Sequence, residues 1–156
     1  MITVTEALDQ LFALVSPLGA EEVPLRAANG RVLARDVLAT RTQPPFAASS
    51  MDGYALKSAE VEPDALFKVV GEAAAGHAWD GKVGAGQAVR IFTGAPLPDG
   101  ADTILIQEDT EIAAVGKIQP IEIPKKSAFV RPAGLDFKQG GVLREAARTR
   151  GAAGVA

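Results

Sequence analysis

The sequence predicts an α+β fold, mainly β, built of irregular bent short strands with one N-terminal helix. From Tyr54 onward, short β-prone runs recur between glycines and prolines: Tyr54-Ala55-Leu56, Phe67-Lys68-Val69-Val70, Ala88-Val89-Arg90-Ile91-Phe92, Thr103-Ile104-Leu105-Ile106, Ile118 to Ile123, and Phe129-Val130-Arg131. Runs this short, at this spacing, suit a small curled β structure. Nothing between them is long and periodic enough to supply the crossover helices of a doubly wound sheet. Helical period is found in the first segment, where Val4, Leu8, Leu11, Phe12 and Val15 form one apolar stripe.

Thr3 and Glu6 have the spacing of a capping box at the start of that helix, and Ser16-Pro17 with Gly19 stop it. Asn29-Gly30 marks a turn, and Arg31 to Leu38 fits either a strand or a helical turn. The paired prolines and small residues of Thr42 to Ser50 exclude a regular ladder or helix, leaving an ordered loop or extended connector. Gly71, Gly76, Gly81 and Gly86 recur without a repeat between them and are expected at tight bends. From Arg144 to Ala156 the one large apolar side chain is Val155, as in a frayed helix or a linker cut short.

A chain of 156 residues is about one domain, or two small halves, and buries a core without disulfide or metal staples. Sixteen basic against nineteen acidic residues give a net charge of −3, unsuited to a nucleic-acid groove. The absence of cysteine excludes thiol catalysis, thiolate zinc sites and disulfides, and suits a reducing cytosol. One histidine excludes a His-rich metal site or a His-pair mechanism unless another chain contributes. No apolar run approaches the ~18–20 residues of a membrane span, and the N-terminus does not read as a signal peptide. The expectation is a soluble cytoplasmic protein with no nucleic-acid or membrane partner.

Three loops hold polar groups that packing does not explain. In Ser49-Ser50-Met51-Asp52-Gly53-Tyr54 the glycine lets the chain turn and leaves the Asp52 carboxylate projecting from a strand end. There it could bind Mg²⁺, which takes one or two carboxylates plus waters and substrate phosphates. The same residues also fit an Asp-Gly turn with serine caps. In Arg90 to Asp102, Thr93 offers a hydroxyl and Gly94 an unobstructed N–H for an oxyanion, or merely a strand cap before a rigid loop. In Arg131 to Gly141, glycine turns bracket Asp136 beside Arg131 and Lys138, which also fits a charged hairpin. Gln107-Glu108-Asp109 reads as a solvated strand end and His77 as a surface or turn residue. Gly81 to Gly86 lacks both phosphate-loop patterns, and Trp79 with Tyr54 makes no base-stacking platform.

Taken together in order, Pro45-Phe46-Ala47-Ala48-Ser49-Ser50-Met51-Asp52-Gly53-Tyr54-Ala55, then Val89 to Asp102 with its Thr-Gly-Ala-Pro-Leu-Pro block, then Val130-Arg131 through Gly134, Asp136 and Gly140, resemble the N-terminal region of molybdopterin molybdenumtransferases, the family of bacterial MoeA and the gephyrin E domain. The resemblance covers nearly the whole chain, to about Leu143. It implies insertion of molybdate into adenylylated molybdopterin with release of AMP, using a divalent metal, usually Mg²⁺, in a cleft completed by a homodimer partner. On the matching positions it implies catalytic roles for Asp52, Thr93 and Asp136, with Asp52 and Asp136 holding metal or its waters. Thr93 would hydrogen-bond a substrate oxygen, and Ser50, Met51, Gly53 and Gly94 would bind substrate. Leu135 stands where the family usually has an acidic residue. The family fold implies a β-rich lobe over 46–130 inserted into an elongated segment made from 1–45 and 131–156. The family's pterin-binding and C-terminal domains do not follow, so a truncated piece, incomplete alone, is expected. A non-catalytic dimerisation or interaction module of the same family is the alternative, and a degenerate, inactive copy a third possibility.

Overall fold

The computed structural model describes residues 2–16 and 18–146. Contacts divide the chain into two compact units, residues 1–37 with 142–156, and residues 38–141. The first unit opens with helix α1, Val4–Ala13, whose capping box forms as the sequence predicts. Thr3 Oγ1 accepts from the Glu6 N–H (3.2 Å) while the Thr3 N–H donates to Glu6 Oε2 (2.7 Å). No residue of the helix is buried: its apolar stripe is exposed, Val4 at 78% and Phe12 at 64%. The ambiguous stretch from Arg31 is neither long strand nor helix; it bends and yields strand β1 only at Val37–Leu38.

The second unit is mainly β. After β2 (Ala48–Ser49) come β3 (Gly53–Leu56), β4 (Phe67–Ala73), β5 (Gln87–Ile91), β6 (Thr103–Ile106), β7 (Thr110–Ala114), β8 (Lys117–Pro120) and β9 (Val130–Arg131). The final strand, β10 (Val142–Arg144), belongs to the first unit. Six strands form a curled sheet in the order β6-β3-β5-β4-β8-β7, antiparallel except for the parallel β4–β5 pair. A parallel pair needs a long crossover, and residues 74–86 provide it.

Side chains alternate between sheet faces along a strand, and here both faces are covered. Ala55, Val89, Ile91 and Ile104 enter one apolar cluster, and their neighbours Leu56, Ala88 and Leu105 enter another with Phe67 and Ile118. Double-sided burial explains the adjacent apolar pairs Ala55-Leu56, Ala88-Val89 and Ile104-Leu105, whose members enter opposite clusters. Gly76 and Gly86 are bends with positive φ, as expected. Gly81 is also a bend, without positive φ, whereas Gly71 lies inside β4. A Cβ at Gly71 or Gly81 would lie 2.1 Å or 2.5 Å from atoms of the Trp79 indole, so both glycines make room for the ring.

Three expectations are corrected. Thr42 to Ser50 carries a short ladder after all, because Ala48–Ser49 lie beyond the prolines and pair with β9. The Ile118–Ile123 run supplies strand only as far as Pro120, and its partner β7 was unforeseen because Thr110-Glu111-Ile112-Ala113-Ala114 has little β signal of its own. Arg144 ends a strand, while the remainder of the expected frayed tail beyond Ala146 lies outside the described residues. Residues 38–45 and 131–141 join the second unit through backbone bonds from Gly134 N–H to the Pro44 carbonyl (2.8 Å), Gln43 N–H to Phe137 (2.9 Å) and Asp136 N–H to Gln43 (3.0 Å). Among the described residues no helix is long and apolar enough to cross a membrane.

Gly53 begins β3 with its Cα pressed on β6: a Cβ there would meet the Leu105 carbonyl oxygen at 2.2 Å. Gly53→Ala is expected to lower unfolding stability by about 2 kcal/mol or more in urea titrations. Gly116→Ala, in open space but with φ +70°, is expected to cost about 1 kcal/mol. Near-equal stability of Gly53→Ala and the parent chain would contradict this packing.

Candidate functional site

The site is assembled by two loops that the backbone zips together. The Ser49 N–H donates to the Ala95 carbonyl (3.0 Å) and the Gly94 N–H to the Ser49 carbonyl (2.9 Å). Ser49, only 1% exposed, also shapes its own loop, because its hydroxyl donates to the Met51 carbonyl and accepts from the Met51 N–H (3.3 Å). A Ser-x-x turn of this kind aims the next residue outward. That residue is Asp52, and one oxygen of its carboxylate accepts from both the backbone N–H and the hydroxyl of Thr93, each at 2.8 Å. The pairing joins the first two of the loops singled out from the sequence.

The Thr93 N–H, then its hydroxyl, hold the Asp52 carboxyl below the ordinary aspartate range; slight desolvation opposes them and the Arg90 charge adds a smaller push downward. Asp52 Oδ2 receives no hydrogen bond from the described residues. Thr93 Oγ1 has given its one proton to Asp52 and retains its lone pairs. The rim formed by these two side chains therefore presents acceptors and no donor.

Asp136 is placed differently. It follows β9, where Arg131 pairs in register with Ala48 of β2. Both Asp136 oxygens accept from Arg131 Nη2, at 2.8 and 3.0 Å. Both side chains are more than two-fifths exposed, so this ion pair is of the weak surface kind. The two acids thus sit in separate hydrogen-bonded settings on loops leaving one short ladder. Among the described residues no group of three or more Asp, Glu or His could hold a metal.

The flanking residues expected at substrate have polar groups turned to the protein. The Gly94 N–H, expected free for an oxyanion, is taken by Ser49, and the residue's positive φ (83°) makes the turn after Thr93. Ser50 commits its N–H and hydroxyl to the Phe129 carbonyl, at 2.9 and 3.0 Å. That carbonyl is aimed by a left-handed Phe129 backbone (φ 57°), a conformation uncommon for a bulky residue and invisible in the sequence. The backbone N–H and carbonyl of Met51 both bond Ser49, and Gly53 is buried at β6. Ser49 caps the turn as the serine-cap alternative allows, but its burial and its part in zipping the two loops are announced by nothing local. Gln107 to Asp109 form a short 3-10 turn after β6.

Residues 2–156 match the family described as MoeA N-terminal region (domain I and II). The chain is 32% identical over 146 residues to the molybdopterin molybdenumtransferase of Haemophilus influenzae, covering 93% of this chain and 36% of that protein. It is 37% identical over 140 residues to the Nostoc sp. protein of the same name, covering 84% of this chain and 32% of that one. The crystal structure of the molybdopterin biosynthesis MoeA protein from Pyrococcus horikoshii OT3 aligns with a TM-score of 0.84 at 29% identity, over 97% of this chain and 41% of that one. The chain thus spans about a third of the length of these curated relatives.

Because the folded Asp52 value lies below the unfolded one, its bond to Thr93 contributes stability above the ordinary aspartate pKa. That contribution is lost as pH falls through the lowered folded value. In a ¹³C titration the Asp52 carboxyl is expected to protonate below the usual aspartate range, with the Thr93 amide shift following the same midpoint. Thr93→Val keeps the backbone donor and should raise the midpoint only part way. A midpoint at or above the usual value would contradict the Thr93 bonds.

Proposed function

The chain belongs to the MoeA family, whose N-terminal region it carries, and on that premise we propose that it works as the N-terminal part of a molybdopterin molybdenumtransferase. In this reading the full protein inserts molybdate into adenylylated molybdopterin and releases AMP in the cytoplasm, and this segment supplies one wall of the cleft. The rest of the relatives' length and a homodimer partner supply the remainder, so the segment alone does not turn over.

The observation that carries the reading is the donor-free pair of Asp52 and Thr93. An oxyanion brought against it would meet a carboxylate and lone pairs, whereas a hard divalent cation would meet the oxygens it prefers. A single open carboxylate fits Mg²⁺ in sites where substrate phosphates and waters complete the octahedron. Asp52 Oδ2 would hold the ion and Thr93 Oγ1 would accept from its waters; Asp136 would join with its charge already shared with Arg131. When bound, Mg²⁺ would neutralise phosphate charge as AMP leaves. The protein's own contribution is to keep Asp52 ionised and aimed.

In a molybdate-insertion assay with a protein of the relatives' full length, Asp52→Ala should cost about a hundredfold or more in rate, and Thr93→Val about tenfold. A near-normal Asp52→Ala rate would remove this carboxylate from the mechanism.

A second reading, an interaction module of the same family, is favoured by the exposed stripe on α1. It expects self-association at micromolar concentration that Phe12→Glu abolishes in sedimentation. A monomer unaffected by that substitution would count against it.

A further inference from the structure

We infer that Arg90 is a positioning residue for Asp52, fixing the peptide unit that carries the carboxylate. Arg90 lies on β5 in register with Tyr54 of β3. Its guanidinium carbon lies over two rings, 5.1 Å from the Tyr54 centroid and 4.7 Å from that of Phe92. Cation–π attraction to both faces holds the group in place beside the hydrogen bonds it makes. One arm, Nη1, donates to the Gly53 carbonyl (3.2 Å), and the other, Nη2, donates to Gln107 Oε1 (2.9 Å). The Gln107 N–H in turn donates to the Asp52 carbonyl (3.1 Å).

These contacts close a ring running Arg90, Gly53, Asp52, Gln107 and back to Arg90. The carbonyls on both sides of the Asp52–Gly53 junction are thereby restrained, while Thr93 restrains the carboxylate itself. Gly53 cannot relieve an error in this junction, because its Cα already abuts the Leu105 carbonyl. Among the described residues no carboxylate forms an ion pair with Arg90. The side chain is committed to neutral oxygens and aromatic faces, an arrangement that needs a planar fork and that an ammonium group cannot reproduce. Misplacing a catalytic group by ~1 Å is enough to impair it, so the ring matters to the chemistry even though Arg90 need not touch substrate.

The inference rests on reading Asp52 as the cation-facing carboxylate, and its test separates the two. In the ¹⁵N-labelled 156-residue chain, hydrogen exchange of the Thr93 and Gln107 amides reports the ring directly. The Lys68 and Val69 amides, bonded to Gly86 and Gly116, report the rest of the sheet. Arg90→Lys should speed exchange at Thr93 and Gln107 roughly tenfold and leave Lys68 and Val69 unchanged. The Mn²⁺ concentration that half-broadens the Gly53 amide signal should rise about tenfold. If Arg90→Lys fails to fold, Gln107→Ala, which opens one arm and spares the backbone donor, should give the same local acceleration at Thr93. Exchange at Thr93 as slow in these variants as in the parent, or a uniform rise at all four amides, would overturn the positioning role. Absence of Mn²⁺ broadening in the parent chain would instead count against the cation reading of Asp52, with the exchange comparison still deciding the role of Arg90.

Discussion

The candidate site depends on one constraint: both donors of Thr93 are committed to a single oxygen of Asp52. The consequence is chemical as much as geometric. A threonine beside a strand end is ordinarily a donor suited to phosphate, but here its proton is already placed. What is left is a carboxylate oxygen and hydroxyl lone pairs, which together select for positive charge. The backbone zipper of Ser49 with Gly94 and Ala95 makes the pairing possible, and buried Ser49 fixes the turn that lifts Asp52 away from the sheet.

The sheet supports this constraint by burying its inner strands on both faces. β3 and β5 carry Asp52 and Thr93 at their adjacent ends, and the direct register of Gly53 with Ile91 brings those ends together. Because Gly53 lies flat on β6, strand β3 has little freedom to slide or rotate. The rigidity of the two-sided core is thus passed to a loop that is itself half-exposed, a usual way of placing a polar group accurately.

Much of the fold was readable from local chemistry. The Thr3 and Glu6 capping box and the β-prone runs from Tyr54 onward have signals in their own residues, and each run supplies a strand, though the Ile118 run stops at Pro120 and Phe129 stays outside β9. β7 did not announce itself because its five residues become a strand only through pairing with β8 across the Gly116 turn. Gly71 misled for a similar reason: it lies inside β4, and its need for space comes from Trp79, beyond the Gly76 bend. At the site, Asp52 and Thr93 were legible as polar residues with no packing role, and their meeting follows from register. Hydrogen-bond direction was not legible. Nothing in Thr-Gly says that the Gly94 N–H will face inward to Ser49, or that Arg131 will occupy Asp136.

What approaches the Asp52 and Thr93 rim decides its chemistry. The most direct measurement is anomalous diffraction from a protein of the relatives' length crystallised with Mn²⁺ and an adenylylated pterin ligand. The expected result is a peak about 2.1 Å from Asp52 Oδ2, with Oδ1 still bonded to Thr93. A phosphate oxygen bound at the Thr93 hydroxyl in place of Asp52, with the metal held elsewhere, would contradict it.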